Sequence, residues 1–179
     1  IWVNGENFAS LKRDGLLRAD DWAFGLPSFA YTDSKTLPAI LSDFAVPTDG
    51  QESPWGRAQL VFAYDSRYAE TPPRSAAALA KWIGANPGRF SYPQPPAFTG
   101  TSFLKQIALE LAPDRSVFMM PAETADKDAA LGPLWQWLET VHPDLWRGGT
   151  SYPANYTDMV QLLGDGELSF AMAFNPAEF

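Results

Sequence analysis

Residues 57–64, RAQLVFAY, form the clearest strand candidate in the chain. The run is mostly apolar and ends at Asp65-Ser66, a pair of residues that favours a turn. A second apolar run, LSFAMAF, occupies residues 168–174. Its uniformly apolar character is typical of a strand that is covered on both faces. Both runs therefore predict strands of a buried sheet.

Four segments between these two runs carry apolar residues at helical spacing. They start, in chain order, at Ser75, at Thr101, at either Asp126 or Asp128, and at Asn155, all residue types that favour helix N-termini. A short strand is expected at residues 89–92. The apolar positions on the inner faces include Leu79, Ile83, Leu104, Ile107, Leu134, Trp135, Leu138 and Phe170. The alternation of strands and helices predicts an α/β fold, layered as helix, sheet and helix.

The first third of the chain is less regular. Residues 1–3 are expected to be the last residues of a strand. Residues 8–14 are expected to form a short helix that ends at Gly15. Residues 16–53 contain several prolines and little periodicity, which predicts a long loop region of the kind that covers a site or belongs to an incomplete domain. The chain opens on an apolar run without Met. We therefore expect a fold truncated at both ends.

Composition narrows the classes of function. A net charge of −8 disfavours nucleic acid as a partner, because phosphate neutralisation requires clustered Lys and Arg. The chain has no Cys, and its single histidine, His142, has no second histidine to pair with. No phosphate-binding, nucleophile or metal-binding motif occurs. We therefore expect no catalytic residues, no metal and no cofactor.

Polar residues gather where the first predicted strand gives way to a helix. Asn4, Glu6 and Asn7 follow Trp2 at this point. Ligands in open α/β sheets bind beyond the carboxyl ends of strands, so these four residues are candidate ligand contacts. Ordinary turn and capping chemistry explains the same residue types equally well.

The second candidate site lies where residues 89–92 lead into the helix at Thr101. Backbone amides at Thr101, Ser102 and Phe103 are expected to be free at the helix N-terminus, which favours anions and polar oxygens. The aromatic residues Tyr92 and Phe98 stand just before it. The alternative is simple capping of the helix by Thr101.

Three further residues occupy positions that suit a ligand-binding cleft. Trp55 precedes the strand at residues 57–64, where its ring would form either an exposed platform or part of the core. Asn155 precedes a predicted helix, and Asn175 follows a predicted strand. Each of the two asparagines is a weak candidate by itself.

Four runs of the sequence resemble one bacterial family. They are IWVNGENFASLKRDGLL, VPTDGQESPWGRAQLVFAYDSRY, RFSYPQPPAFTGTSFLKQ and GELSFAMAFNPAEF. The resemblance covers most of the chain, and residues 115–127 are its least distinctive segment. The family is that of type 2 extracytoplasmic solute-binding proteins of ABC importers, loosely related to thiamine, iron and polyamine binders. The runs are specific in combination, and none is diagnostic alone.

The resemblance implies two α/β lobes joined by hinge strands, with a ligand held in the cleft between them. Residues 1–59 then correspond to part of lobe one, and residues 60–179 to a nearly complete lobe two. The implied protein is periplasmic, delivers its solute to an ABC permease in the membrane, and is not an enzyme. We expect a monomer.

The chemistry of the solute follows from the candidate residues. Glu6 with the aromatic residues suits a cationic or ring-bearing solute, whereas the helix terminus at Thr101 suits an anionic group. A zwitterionic or phosphorylated cation satisfies both. The rival hypothesis is a fragment of a carbohydrate-active enzyme with an aromatic-lined cleft. Such an enzyme requires two facing carboxyl groups, one with a perturbed pKa.

Overall fold

The chain forms two compact units, Ile1–Arg57 and Ala58–Phe179. The computed structural model describes residues 3, 5–32, 34–56, 58–68, 70–121 and 123–175. The predicted division after Gln59 lies next to the boundary between the units. The assignment of these units to two lobes stays a prediction.

The first unit contains one α-helix and one short hairpin among its described residues. Helix α1, Glu6–Arg13, begins after Gly5, whose φ of 60° suits a residue without a side chain. Strands β1 and β2, Ser42–Asp43 and Val46–Pro47, pair in an antiparallel manner. The other elements are 3₁₀ turns at Trp22–Gly25, Pro27–Tyr31 and Pro38–Leu41. The predicted short helix and loop-rich segment are confirmed, whereas residues 1 and 2 of the predicted first strand lie outside the described residues.

Four α-helices dominate the second unit. They are α2, Ala76–Ala85; α3, Phe98–Leu111; α4, Lys127–Val141; and α5, Tyr156–Gly164. The side chains of Ser75, Asp126 and Asn155 accept hydrogen bonds from backbone amides three residues further on, at 3.0–3.1 Å. These three predicted helix starts are confirmed, because a side-chain cap satisfies an amide that the helix itself leaves free.

Strands β3, Val61–Tyr64, and β4, Phe170–Ala173, form an antiparallel pair. Val61 pairs with Ala173 at one end, and Tyr64 with Phe170 at the other. Every residue of β4 is buried, as its composition predicted. The architecture is thus mixed helix with small two-stranded sheets in the part of the chain that the structure describes, rather than one larger layered sheet.

The predicted strand at residues 89–92 is an extended, mostly buried segment without ladder pairing. The carbonyl oxygen of Arg89 accepts from the amide of Ser169, and that of Phe90 accepts from the amide of Trp146, both at 2.8 Å. These partners belong to two different segments. A continuous ladder requires one partner strand, so the prediction of a strand here is wrong.

In the core of the second unit, the apolar faces of the helices pack around β4. Six residues predicted to be buried are buried: Leu79, Ile83, Ile107, Leu134, Leu138 and Phe170. Leu104 is partly buried. The prediction for Trp135 is wrong, since its side chain is 53% exposed while Trp137 is buried at 7%. Trp137 lies three residues after Leu134, on the inner face, and its ring nitrogen donates to the carbonyl of Ala76 at 2.9 Å.

Helix α3 begins three residues before the predicted cap. Ala97 is its N-cap, and the amide of Thr101 donates to the Ala97 carbonyl at 2.9 Å. The prediction that Thr101 caps this helix is therefore wrong. Gly100 has a low intrinsic preference for helix, which favoured a later start in the sequence. In the fold, close packing of Gly100 against Pro93 holds this residue inside the helix.

Candidate functional site

The first turn of α3 meets the end of β4 at one edge of the second unit. The rings of Phe98 and Phe174 lie with centroids 4.8 Å apart and planes 31° apart. Phe98 is 58% exposed, and Phe174 is partly buried. Asn175, the next residue, is exposed. The structure thus brings two predicted site residues, Phe98 and Asn175, to the same edge.

Three backbone amides at this edge precede the first hydrogen bond of the helix. The amides of Phe98, Thr99 and Gly100 have no acceptor among the described residues, and no side chain caps them. The free amides therefore belong to this first turn. The prediction that placed them at Thr101, Ser102 and Phe103 is wrong. Thr101 and Ser102 lie in the second turn, where both are partly buried.

The side chains of two aromatic residues among the candidate ligand contacts belong to the core. Phe103 is 1% exposed and Tyr92 is 4% exposed. Their ring centroids lie 5.3 Å apart. The sequence predicted a ligand-facing ring for Tyr92 because this residue precedes a helix start, whereas for Phe103 it predicted a ligand contact through the backbone amide. Their burial indicates that they fix α3 in place.

Tyr92 belongs to a partly buried polar network. Its hydroxyl lies 2.9 Å from Nε2 of His142, and its ring centroid lies 5.2 Å from that of Tyr152. Burial raises the pKa of Tyr92, and the neighbouring Tyr152 raises it further. Burial lowers the pKa of His142. Both residues are therefore held neutral near pH 7.

The depressed pKa of His142 predicts a pH-dependent stability. Its pKa lies below 6.5 in the folded state, so the folded chain binds fewer protons than the unfolded chain. The contribution of neutral His142 to the free energy of unfolding is complete above the pKa that His142 has in the unfolded chain. It is lost as the pH falls through the pKa that His142 has in the folded chain. We expect the free energy of unfolding, measured with urea at a series of pH values from about 7.5 to about 5, to fall less in His142→Gln than in the natural protein. Parallel pH profiles for the two proteins would show that His142 is not the source of the pH-dependent stability.

The predicted turn of the first unit lies beside two carboxyl groups. The amide of Gly5 donates to Oδ2 of Asp43 at 2.5 Å. Burial raises the pKa of Glu52, and the charge of Asp43 raises it further. Oε2 of Glu52 and Oε1 of Gln51 are buried without a hydrogen-bond partner. Glu6, like Asn7, is exposed at the start of α1, whereas Trp2 and Asn4 lie outside the described residues.

Replacing Glu52 by glutamine is expected to stabilise the first unit at neutral pH. The pKa of Glu52 is raised on folding, so its ionisation lowers stability as the pH rises through the folded pKa. Glu52→Gln removes that charge at similar volume. Thermal unfolding should show a higher Tm for the variant at about pH 7 and no difference at about pH 3.5, where the natural carboxyl is protonated. Equal Tm values at neutral pH would contradict the claim that ionised Glu52 destabilises the first unit.

Trp55 and Asn155 occupy different environments. Trp55 is 83% exposed in the first unit, so the platform hypothesis fits its position better than the core hypothesis. Asn155 uses its side chain to cap α5. The cap accounts for this residue without a ligand.

Sequence reasoning missed four residues of these surfaces. Asp43 and Glu52 lie in the loop-rich segment, where no periodicity distinguishes one acidic residue from another. Thr99 and Phe174 adjoin the predicted residues Phe98 and Asn175. A helix start placed at Phe98 would have included Thr99.

Two open depressions mark the surface of the second unit. One, of about 410 Å³, is lined by polar and aromatic residues that include Trp146, Tyr152 and Asp165. The other, of about 530 Å³, is mostly apolar and is lined by residues that include Pro72 and Trp82. None of the predicted site residues lines either depression.

Neither a metal centre nor a membrane span is found in the described part of the chain. No group of three or more His, Cys, Asp or Glu side chains is placed to hold a metal ion there. None of the described helices is sufficiently long and apolar to cross a bilayer.

Comparison with known proteins places the chain in a family. Residues 1–178 match the family model described as bacterial extracellular solute-binding protein. Protein YnjB of Escherichia coli (strain K12) is 44% identical over 177 residues, which are 99% of this chain and 45% of that protein. The chain thus spans about half the length of this relative. No solved structure matches the chain. The chain belongs to the family of bacterial extracellular solute-binding proteins.

Proposed function

We propose that the full-length protein is the solute-binding component of an ABC importer. It binds a small molecule in the periplasm and delivers it, chemically unchanged, to a permease in the membrane. The observation that carries the proposal is the family match over residues 1–178. The identity with YnjB over nearly the whole chain supports it.

The surfaces of both units support a binding role. The first turn of α3 combines unpartnered amides with the exposed ring of Phe98. The first unit exposes the ring of Trp55. Small-molecule sites use such mixtures of a few oriented polar groups and apolar walls. On this proposal the two units belong to the two lobes of a type 2 binding protein.

One observation favours the rival enzyme hypothesis. The raised pKa of Glu52 beside Asp43 is the property that a pair of catalytic carboxyl groups requires. However, the amide of Gly5 already occupies one oxygen of Asp43. This bond ties Asp43 to the start of α1, which is a structural role.

Native mass spectrometry of the full-length protein tests the proposed function. We expect a mass excess that corresponds to one small molecule per chain and that disappears on denaturation. The released solute should bind again in a 1:1 ratio by calorimetry and remain unchanged after long incubation. Conversion of the solute into a product would support the enzyme hypothesis, and Glu52→Gln should then abolish turnover.

A further inference from the structure

We propose that an open groove on the second unit is the docking surface for a helix of the membrane permease, and that this helix carries acidic side chains. The groove has a volume of about 530 Å³ and is lined by one face of α2 and by residues 71–74, which precede the helix. We call it the α2 groove. The inference rests on the proposed function, which requires a permease as partner, and adds the place and the chemistry of the contact.

The outward face of α2 forms the floor of the groove. Leu79 and Ile83 are buried and hold the opposite face of the helix against the core. Ala78 and Ala85, which line the groove, are exposed and lie seven residues apart, or about two helical turns. The distance between two packed helices depends on the size of the side chains at their contact, and small side chains allow a close approach. The floor of the groove therefore suits an incoming helix.

Trp82 gives this floor a fixed apolar surface. Its ring is partly buried and meets the ring of Phe170 edge to face, with centroids 4.7 Å apart and planes 81° apart. The ring nitrogen of Trp82 donates to the carbonyl of Tyr68 at 3.4 Å. Pro72 and Pro73 add apolar surface on a segment whose backbone is restricted. The groove is thus preformed, so little conformational entropy is lost when a partner docks.

Two cationic side chains line the groove, and neither has an acidic partner. Arg74 and Lys81 are exposed, and they make no ion pair and no side-chain hydrogen bond among the described residues. The described residues that line the groove include no Asp or Glu, although the whole chain has 21 acidic and only 13 basic residues. A cationic and apolar surface is complementary to an apolar surface that carries carboxylates. We therefore expect Asp or Glu side chains beside the apolar face of the docking helix.

Stimulation of the importer's ATPase activity tests the inference. The permease and its ATPase subunits are reconstituted in proteoliposomes and titrated with the solute-loaded, full-length protein. In the double variant Arg74→Glu with Lys81→Glu, like charges face the carboxylates of the partner, so we expect half-maximal stimulation to require at least about tenfold more protein. The solute affinity of this variant, measured by calorimetry, should be unchanged. A loss of solute affinity would make the groove part of the solute site and overturn the inference.

Arg115→Glu with Lys127→Glu is the matched control. Both residues are exposed, lie outside the groove and give the same change in net charge. We expect the half-stimulating concentration of this control to stay within about twofold of the natural value. Equal values for the groove variant and the natural protein, or an equal loss in the control, would overturn the inference and leave the proposed function standing. No stimulation by the natural protein would instead refute the proposed function, and the inference with it.

Cross-linking with a water-soluble carbodiimide provides the second arm, because this reagent joins a lysine amine to a carboxylate that contacts it. We expect peptide mass spectrometry to find Lys81 linked to an Asp or Glu of the permease. The link should be absent from Lys81→Arg, which keeps the charge and should keep the stimulation. A link from Lys81 to the rest of its own chain, or no link to the permease, would overturn the inference. Binding of the natural protein, but not of the groove variant, to protein-free vesicles of the same lipids would assign the groove to the bilayer instead.

Discussion

Replacing Gly100 with alanine is expected to lower the free energy of unfolding of the second unit by about 3 kcal/mol or more. A Cβ on Gly100 would lie 1.7 Å from the carbonyl oxygen of Pro93 and 2.7 Å from its carbonyl carbon. Both are backbone atoms, so no side-chain rotation can relieve the overlap. Either α3 or the segment at Pro93 must move, and both are packed into the core.

Gly84 offers a matched control for this substitution. It also lies inside a helix, α2, but a Cβ there meets only Oδ2 of Asp144, at 3.8 Å. Gly84→Ala is expected to stabilise the protein by about 0.5–1 kcal/mol, because alanine loses less backbone entropy in a helix. Urea unfolding of both variants should give changes of opposite sign. A neutral or stabilising Gly100→Ala would show that the approach to Pro93 is not fixed in solution.

The same contact holds the start of α3 in place. The approach of Gly100 to Pro93 fixes the first turn of α3, where the amides of Phe98 and Thr99 are unpartnered. A residue with a side chain at position 100 would displace this turn. Gly100 therefore positions the unpartnered amides of this turn.

Helices with local signals were predictable from the sequence. Ser75, Asp126 and Asn155 each cap a helix through a bond that spans only three residues, so the signal lies in the sequence itself. The start of α3 was not predictable in this manner. Its position depends on the packing of Gly100 against Pro93 rather than on a cap, and no local pattern encodes that contact.

Strand pairing, like the start of α3, was not predictable from the local sequence. The two strands of the second unit were recognised by composition, since uniformly apolar runs are buried. Their partners were not, because β3 and β4 are separated in sequence by all four helices of this unit. Residues 89–92 have the composition of a strand, but their carbonyl groups are bonded to two different segments. Pairing is a tertiary property that composition does not determine.

The proximity of Phe98 and Asn175 was predictable from the sequence, whereas the direction of each side chain was not. Phe98 and Asn175 were chosen because they adjoin a helix start and a strand end, and the structure brings those two ends together. Tyr92 and Phe103 satisfied the same rule and are buried. The rule identifies the edge of the fold, whereas the direction of each side chain depends on packing.

Replacing Phe103 with alanine is expected to destabilise the second unit by about 3–5 kcal/mol. The ring is 1% exposed and lies at the centre of an aromatic cluster. Its centroid is 5.3 Å from that of Tyr92, 5.7 Å from that of Phe90 and 6.2 Å from that of Trp137. Removal leaves a cavity that these three rings cannot close without leaving their own contacts.

Phe98→Ala is the matched control, because the two residues lie in the same helix and differ mainly in burial. Phe98 is 58% exposed, so its removal should cost less than about 1 kcal/mol of stability. Denaturant unfolding of the two variants should therefore separate a core role from a surface role. If Phe103 faced a ligand, Phe103→Ala would weaken solute binding while leaving the unfolding midpoint close to that of the natural protein. The packing around Phe103 predicts the reverse, with loss of the fold under conditions in which Phe98→Ala remains folded.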